Sequence, residues 1–273
     1  MDVREALNAI SDVIVNRPSP IREFDQIYMK AADMVMQAGH VAQWLHDRRC
    51  VFVGDGDAMS VCILHLHNKR LLEHGPREVL VLDFDERVLN AINRFAKRYD
   101  LTDRIATRLY NVADPVPTDL WQACQAFYSN PPFGASNGGK SVQAFLKRGF
   151  ELTGEDCIGC VVIADAGNLE WTQRVLQSTQ RLALDSGFVI AEMIPAMHTY
   201  HLDDTPELTS CSVVLHRLDF QSQQYSSLPL SQEDRSNFYG MDNPLTIRYV
   251  KDSTRGGSLP SRDYKMEPFA EED

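Results

Sequence analysis

Two consecutive prolines mark the stretch with the most specific chemistry, Ser129-Asn130-Pro131-Pro132-Phe133. It follows an apolar run, and because prolines cannot remain inside a central β-strand, the chain must leave its sheet there. The side-chain carbonyl of Asn130 and the backbone carbonyl of Pro131 can accept hydrogen bonds from an amine, while Phe133 can stack on a flat or cationic group. The stretch therefore predicts a pocket for a nitrogen-bearing ligand.

A second stretch, VFVGDGDAMS (residues 51–60), is an apolar run that breaks at two glycines, Gly54-Asp55 and Gly56-Asp57. Glycines bring backbone amides close to a ligand, and a helix that opens after the turn offers unpaired N–H donors. This geometry suits a nucleotide pocket at the carboxyl end of a first parallel strand. On its own, an Asp-Gly pair is equally typical of a plain turn.

Two acids follow the next apolar run, EVLVLD, at Asp83 and Asp85. They lie roughly 25–30 residues beyond the glycine turn, the offset at which a carboxylate reaches the hydroxyls of a ribose. An acid at the start of a helix can instead cap it. We expect one of the two to bind a ligand and the other to cap, and the residues do not decide which.

These stretches need a sheet that brings strand ends together, and the hydrophobic pattern supplies one. Continuous apolar runs alternate with amphipathic segments, which is typical of a parallel sheet covered on both faces. We predict an α/β fold with a doubly wound, mostly parallel seven-stranded sheet. The expected strands are 51–53, 78–83, 106–110, 126–129, 159–164 and 188–193, with 212–218 and 245–250 as a closing pair. The expected helices are 2–15, 24–46, 59–73, 87–99, 142–152 and 169–184.

The predicted parts are a helical extension at 1–48, a Rossmann-like catalytic domain at 49–251 and a polar, partly disordered tail at 252–273. The polar segment 221–243 is expected to be a mobile loop. The six cysteines are scattered, and the single C-x-x-C lacks the spacing of a zinc site, so we expect reduced thiols and no metal. With no signal peptide and no apolar run long enough for a bilayer, a cytoplasmic location without membrane attachment is expected, and a homodimer is left open.

The formal net charge of −11 repels a phosphate backbone and favours cationic or neutral partners. We therefore expect a small cationic amine or polyamine as partner, and the charge disfavours nucleic acid without excluding it.

The glycine turn, the acid after the second strand and Asn-Pro-Pro-Phe, in this order, resemble the class I S-adenosylmethionine-dependent methyltransferase fold, where such a motif marks enzymes that alkylate nitrogen. More closely, VFVGDGDAMS, EVLVLDFDERVLNAI, LYNVADPVP and AFLKRGFELTGEDCIGCVVIAD resemble the catalytic domain of branched-chain polyamine synthases. The similarity covers about residues 24–218, and Asp25-Gln26 fits the same pattern. The resemblance implies decarboxylated S-adenosylmethionine as donor and a polyamine as acceptor.

On this resemblance and on strand-end position, we expect two groups of site residues. The donor group is Gln26, Gly54, Asp55, Gly56, Asp57, Asp83, Asp85, Asn111 and Val112. The acceptor and catalytic group is Asn130, Pro131, Phe133, Asp165, Glu192 and Tyr200. In the second group, Asp165 and Glu192 are candidates for a proton acceptor at strand ends.

The chain departs from the family pattern at three positions, because Gly56, Asn111 and Asn130 stand where the family usually has aspartate. The change at Asn130 matters most, since an amide cannot take the proton of an ammonium before it attacks. An Asn-Pro-Pro-Phe-Gly loop also resembles that of adenine N6-methyltransferases. Three functions stay open: aminopropyl transfer, methyl transfer from S-adenosylmethionine to a small molecule, protein amide or nucleobase, and a non-catalytic nucleotide- or polyamine-binding domain.

Overall fold

The computed structural model describes residues 2–200, 202–220, 224–254 and 263–270. The helices are α1 Val3–Asn16, α2 Ala31–Ala42, α3 Met59–Asn68, α4 Glu86–Arg98, α5 Lys140–Leu152, α6 Glu170–Asp185 and α7 Gln232–Arg235. The strands are β1 Arg49–Val53, β2 Glu78–Asp83, β3 Ile105–Leu109, β4 Cys124–Ser129, β5 Thr153–Ala164, β6 Phe188–Thr199, β7 Thr209–Arg217, β8 Ile247–Asp252 and β9 Tyr264–Pro268.

Seven strands form one sheet in the order β3-β2-β1-β4-β5-β7-β6. The first five are parallel to one another, and β7 lies antiparallel between β5 and β6. The order reverses beside β1, so the carboxyl ends of β1 and β4 flank a crevice in which α/β folds bind ligands. The predicted doubly wound, mostly parallel seven-stranded sheet is confirmed.

Both faces of the sheet are covered, as the continuous apolar strands predict. Successive side chains of a strand point to opposite faces. Phe52 and Tyr128 pack into a cluster with α1 to α4, whereas Val51, Val53 and Phe127 pack on the other face with α5 and α6. This burial on two sides holds the strand ends, and hence the site, in fixed positions.

The helix expected over 24–46 begins later and ends earlier, because α2 covers only Ala31–Ala42. Phe24 ends a short 3₁₀ turn, and Asp25 adopts a left-handed backbone with φ of 55°, which stops any helix from continuing. The Gln26 side chain then accepts a hydrogen bond from the Ile21 amide at 2.7 Å. Residues 25–30 therefore form an irregular segment that reaches the sheet edge.

The expected pairing of 212–218 with 245–250 is wrong. The first segment lies in β7, whose two edges are occupied by β5 and β6, so it has no edge left for another strand. The second lies in β8, which pairs with β9 in a separate two-stranded sheet.

The polar segment expected as a loop contains apolar anchors. Phe238 within it, and Leu245 just after it, are buried in the cluster on the α5 side of the sheet. Residues 221–223 of that segment, and residues 255–262 and 271–273 of the predicted tail, lie outside the described residues. Within the described ranges, the chain has no helix that is long and apolar enough to span a bilayer.

Candidate active site

A cleft opens at the carboxyl edge of the parallel strands, with an empty volume of about 810 Å³ including the space at its mouth. Its walls come from the 25–30 segment and from the turns that follow β1 to β4. The lining residues are 24–28, Gly54, Gly56, Asp57, 82–84, 110–112, 130–133, Phe145, Tyr200 and Tyr239. The turn residues are adjacent because parallel strands end at the same edge.

The glycine turn after β1 leaves space at the base of the cleft because Gly54 has no side chain. Gly54 has φ of +72°, and a Cβ added there would lie 3.1 Å from the Phe145 ring. Asp55 turns away from the cleft, because its carboxylate accepts the Met59 and Ser60 amides at 2.7 and 3.2 Å and caps α3. The structure therefore does not bring the Asp55 side chain into the site with the other donor residues, and it supports the turn from behind.

Asp57 is a buried carboxylate with three partners. Its Oδ1 accepts the Met29 amide at 2.8 Å and lies 3.4 Å from Nη1 of Arg17, and its Oδ2 accepts Nδ2 of Asn130 at 2.7 Å. Burial raises the pKa of Asp57, and Arg17 and the two N–H donors oppose that shift. Since Nδ2 of Asn130 is committed to Asp57, Oδ1 of Asn130 remains as the hydrogen-bond acceptor.

The two acids after β2 divide their roles. Asp83 lines the cleft, and its oxygens accept the backbone amides of Asp55 and Asp85 at 2.8 Å each. Asp85 lies behind it, caps α4 through the Arg87 amide and forms a buried bidentate ion pair with the Arg87 guanidinium at 3.0 and 2.6 Å. Burial, followed by the charge of Asp85, raises the pKa of Asp83 to about 7. Asp85 is thus the cap, outside the lining, and Asp83 is the acid that faces the cleft.

Asn111 and Val112 follow β3 and form another wall. The Nδ2 group of Asn111 donates to the carbonyls of Arg248 and Ile247 at 2.7 and 3.3 Å, and its Oδ1 accepts the Ala113 amide at 2.9 Å. Asn111 therefore ties the β8 region to the site. An aspartate could not make the two donations, which is a physical reason for asparagine at this position.

Phe133 and Tyr200 meet edge to face across the cleft, with centroids 6.2 Å apart. Asn130, Pro131 and Pro132 line the same side. The Tyr200 hydroxyl lies 2.7 Å from Oγ of Ser210, which in turn lies 2.9 Å from Nδ1 of the buried His198. These contacts fix Tyr200 in the wall, and burial raises its pKa, so it stays neutral.

Two predicted catalytic acids lie elsewhere. The Asp165 carboxylate accepts the Gln173 amide group and the Ala196 backbone amide at 3.2 and 3.0 Å, because the chain turns away at the end of β5. Glu192 lies within β6 and accepts Nε1 of Trp44 at 3.0 Å on the α2 side of the sheet. Neither lines the cleft, so the structure does not bring these two predicted acids together with Asn130.

Sequence reasoning missed part of the lining. Asp25, Tyr28 and Tyr239 line the cleft beside the predicted Gln26, whose Nε2 donates to Asp85 at 3.3 Å. The resemblance at Asp25-Gln26 indicated Asp25, but we expected this residue to lie within a helix over 24–46. Tyr239 lies in the polar segment, where no spacing or motif marks it.

The charges that line the cleft are all negative. Asp25, Asp57 and Asp83 contribute carboxylates, and among the described residues no lysine, arginine or histidine joins the lining. Arg17 reaches Asp57 from outside it. The cleft therefore favours a cationic ligand and gives a ligand carboxylate no cationic side chain to pair with.

The chain matches, over residues 5–255, the family model described as the branched-chain polyamine synthase A C-terminal domain. The chain belongs to this family. The resemblance drawn from the sequence motifs is confirmed. The family's named members are synthases that act as transferases, so this chain is a member of an enzyme family.

The most similar curated relatives are distant. An uncharacterized protein of Methanocaldococcus jannaschii is 29% identical over 208 residues, 76% of this chain and 46% of that protein. The N(4)-bis(aminopropyl)spermidine synthase of Thermus thermophilus is 28% identical over 189 residues, 67% of this chain and 50% of that protein. The chain thus spans about half the length of the curated relatives it matches.

Among solved structures, the branched-chain polyamine synthase of Thermus thermophilus, in complex with N4-aminopropylspermidine and 5'-methylthioadenosine, gives a TM-score of 0.68 at 22% identity. The match covers 88% of this chain and 69% of that one. A putative RNA methyltransferase from Pyrococcus horikoshii gives a TM-score of 0.58 at 14% identity, over 80% of this chain and 100% of that one. At these identities the likenesses show the fold alone, and they confirm the methyltransferase-like architecture.

Proposed function

We propose that this chain transfers an aminopropyl group from decarboxylated S-adenosylmethionine to an amine nitrogen of a polyamine. Family membership supports the reaction class. The observation that carries the proposal is the charge of the cleft, in which Asp25, Asp57 and Asp83 face the ligand space and no cationic side chain among the described residues joins them. The proposal therefore has an S-adenosylmethionine-related donor, specifically its decarboxylated form, and a polyamine acceptor.

The two donors differ at one group. S-adenosylmethionine carries a carboxylate beside its ammonium, whereas the decarboxylated donor carries only the ammonium and the sulfonium. A carboxylate close to Asp57 or Asp83 would meet like charge, while an ammonium would form charge-assisted hydrogen bonds. The acidic lining therefore supports the decarboxylated donor.

The proposed placement follows the strand ends. Asp83 has lone pairs beyond the two that its backbone partners use, and it would accept the ribose hydroxyls. Asn111 and Val112 would face the adenine edge, and Phe133 would cover the reacting groups. Oδ1 of Asn130 would accept a hydrogen bond from the attacking amine and orient its lone pair toward the propyl carbon.

Catalysis in this scheme comes mainly from positioning. The amine attacks in line, the carbon–sulfur bond breaks, and its electron pair remains on sulfur, which leaves neutral 5'-methylthioadenosine. Holding two reactants in attack geometry can contribute about 7–11 kcal/mol. The carboxylates stabilise the positive charges of donor and acceptor in place of water.

Turnover with each donor tests the proposal. The purified chain is incubated with a panel of di-, tri- and tetra-amines and either donor, and the nucleoside product and the mass of the amine are measured. The expected result is 5'-methylthioadenosine and an amine heavier by one aminopropyl group. S-adenosylhomocysteine with a methylated amine would overturn the proposal in favour of methyl transfer.

A matched pair of variants ties the result to this cleft. Asp83→Asn removes a lining carboxylate, and Asp119→Asn removes an exposed one that pairs with Arg108 at 2.7 Å. We expect the first to raise the donor KM at least about tenfold, since one charge-assisted contact contributes roughly 1.5–3 kcal/mol. The second should leave turnover unchanged, and equal effects of both would contradict the placement.

A further inference from the structure

The proposed transfer needs a proton acceptor that Asn130 does not supply. Polyamine nitrogens are protonated near neutral pH, and an ammonium has no lone pair for attack. Aspartates commonly fill this role in proteins, so the search narrows to the three carboxylates that line the cleft, Asp25, Asp57 and Asp83.

Two of the three are committed. Asp57 is held by the Met29 amide, Asn130 and Arg17, and Arg17 favours its charged form. Asp83 has a backbone amide on each oxygen. A carboxylate with fixed N–H donors on both oxygens is a poorer proton acceptor, because those hydrogen bonds favour its charged form and weaken when it is protonated.

Asp25 differs in its partners and in its position. It lines the cleft together with Phe133 and Asn130, and the Phe133 backbone amide is close enough to oppose the rise in the Asp25 pKa. Within the described residues it forms no ion pair. It therefore lies on the acceptor side of the cleft and keeps lone pairs available.

The backbone conformation at Asp25 directs its side chain toward the loop that carries Asn130 and Phe133. Its left-handed conformation, φ 55° and ψ 29°, ends the 3₁₀ turn after Phe24. Phe24 packs against Phe84 and Tyr239 with centroids 5.3 Å apart in each case. A non-glycine residue in this conformation is uncommon, although aspartate and asparagine tolerate it best. The turn and its aromatic anchor thus fix the direction of the carboxylate.

We propose that Asp25 is the catalytic proton acceptor of this chain, an assignment that rests on the proposed aminopropyl transfer. The Asp25 carboxylate takes one proton from the acceptor ammonium and becomes a carboxylic acid, and the neutral amine forms a nitrogen–carbon bond with the propyl carbon. The carbon–sulfur bond breaks toward sulfur. The product nitrogen carries the new positive charge, and Asp25 then releases its proton to solvent, so one proton is released for each transfer.

The surroundings of Asp25 suit this step. Burial raises its pKa to about 6, while Arg22 on its own turn and the Phe133 amide oppose the shift. Tyr239 faces it from the polar segment, with its own pKa raised by burial and by the charges of Asp83 and Asp25, so this phenol stays neutral. A base with a pKa just below neutral is ionised at working pH and is stronger than an ordinary aspartate. Transfer from water into the cleft lowers the pKa of the acceptor ammonium, which reduces the difference between its pKa and that of Asp25.

Two variants test the assignment. Asp25→Asn keeps the shape and the left-handed backbone, so folding should be retained. Glu23→Gln, two residues earlier on an exposed side chain, removes the same charge outside the cleft. Turnover is measured from pH 5 to 9 with the decarboxylated donor, and 5'-methylthioadenosine binding is measured by calorimetry.

We expect kcat of Asp25→Asn to fall by about 10²–10⁴-fold, with nucleoside affinity within about twofold of wild type. The wild-type pH profile should show an acidic limb near pH 6 that the variant lacks. In the variant, the residual rate should rise continuously with pH as the amine loses its proton to water. Glu23→Gln should retain the wild-type profile.

If wild type turns over and Asp25→Asn matches Glu23→Gln, the assignment is overturned while the proposed function stands. If wild type binds the nucleoside but transfers no aminopropyl group to any amine, the proposed function fails and the assignment fails with it. A variant with lower kcat but an unchanged acidic limb would assign Asp25 to amine binding instead, and would also overturn its role as base.

Discussion

Restoring the family's aspartate at position 130 gives a stringent test of the electrostatics in this cleft. In the present chain, Nδ2 of Asn130 donates to Oδ2 of Asp57 at 2.7 Å. Asn130→Asp replaces this donor with a second carboxylate oxygen at the same place. The hydrogen bond is lost unless the two acids share a proton.

The magnitude follows from the distance. Two unit charges about 3 Å apart at an effective dielectric constant of about 20 repel by roughly 5–6 kcal/mol, equivalent to about 4 pKa units. Relaxation and water reduce this figure, so we expect a loss of about 3–5 kcal/mol in the free energy of unfolding at pH 8. The pair titrates as a unit and holds one proton in the folded state.

The sign of the pH dependence is fixed by the raised pKa. The folded variant keeps a proton that the unfolded chain releases above about pH 4, so its stability falls as pH rises from there until the shared proton is lost. Below about pH 4 both states are protonated and the penalty disappears.

Urea unfolding of wild type and Asn130→Asp at several pH values measures this difference. Asn8→Asp, at an exposed position of α1, adds the same charge and should show no comparable pH dependence. The reasoning is refuted if Asn130→Asp and wild type differ by a constant amount at all pH values.

Three further predictions concern the scaffold. Arg87→Ala should lower the free energy of unfolding by about 3–5 kcal/mol in urea, because it leaves a buried carboxylate partner uncompensated, and Arg87→Lys should recover part of the loss. Gly159→Ala would place a Cβ 2.4 Å from the Phe127 ring and should lower the free energy of unfolding by about 1–3 kcal/mol or more. Gly167→Ala, whose added Cβ would have nothing within 4 Å, should lower it little. Equal melting temperatures of the two variants would contradict this packing. Since burial raises the pKa of Asp83 to about 7, wild-type stability should fall as pH rises from about 4 to 7, and Asp83→Asn should have a shallower slope, which a parallel slope would refute.

Much of the fold could be predicted from the sequence because buried parallel strands have a strong signature. The runs at 51–53 and 78–83 are continuously apolar and end at glycine or acid, so their identity and order follow from local composition. The placement of β7 between β5 and β6, and the separate β8–β9 sheet, depend on contacts between distant segments. Local apolar periodicity carries no information on which edge a late strand joins.

The site was predictable where a motif follows a strand end. Gly54, Asp83 and Asn130 line one cleft as their positions after three parallel strands require. Asp165 follows the end of β5, whereas Glu192 lies within β6, and their side chains bind Ala196 and Trp44, partners that the sequence does not reveal. Tertiary hydrogen bonds set the direction of both side chains, which explains why neither lines the cleft.

Residues 24–28 line the cleft, but hydrophobic periodicity does not show the break in the chain that places them there. Apolar spacing favours one long helix there, yet the left-handed backbone at Asp25 breaks the chain before α2. A single residue in this conformation leaves little trace in hydrophobic periodicity. Asp25, the proposed base, was therefore expected within a helix, whereas its neighbour Gln26, expected among the donor residues, lines the cleft.

We propose that the acidic lining of this cleft selects a donor without a carboxylate. Parallel calorimetric titrations of decarboxylated S-adenosylmethionine and S-adenosylmethionine, at pH 8 and low salt, test it most directly. We expect the decarboxylated donor to bind at least about tenfold more tightly, with an advantage that shrinks below about pH 7 as Asp83 and then Asp25 take up protons. Equal affinities, or tighter binding of S-adenosylmethionine, would contradict it.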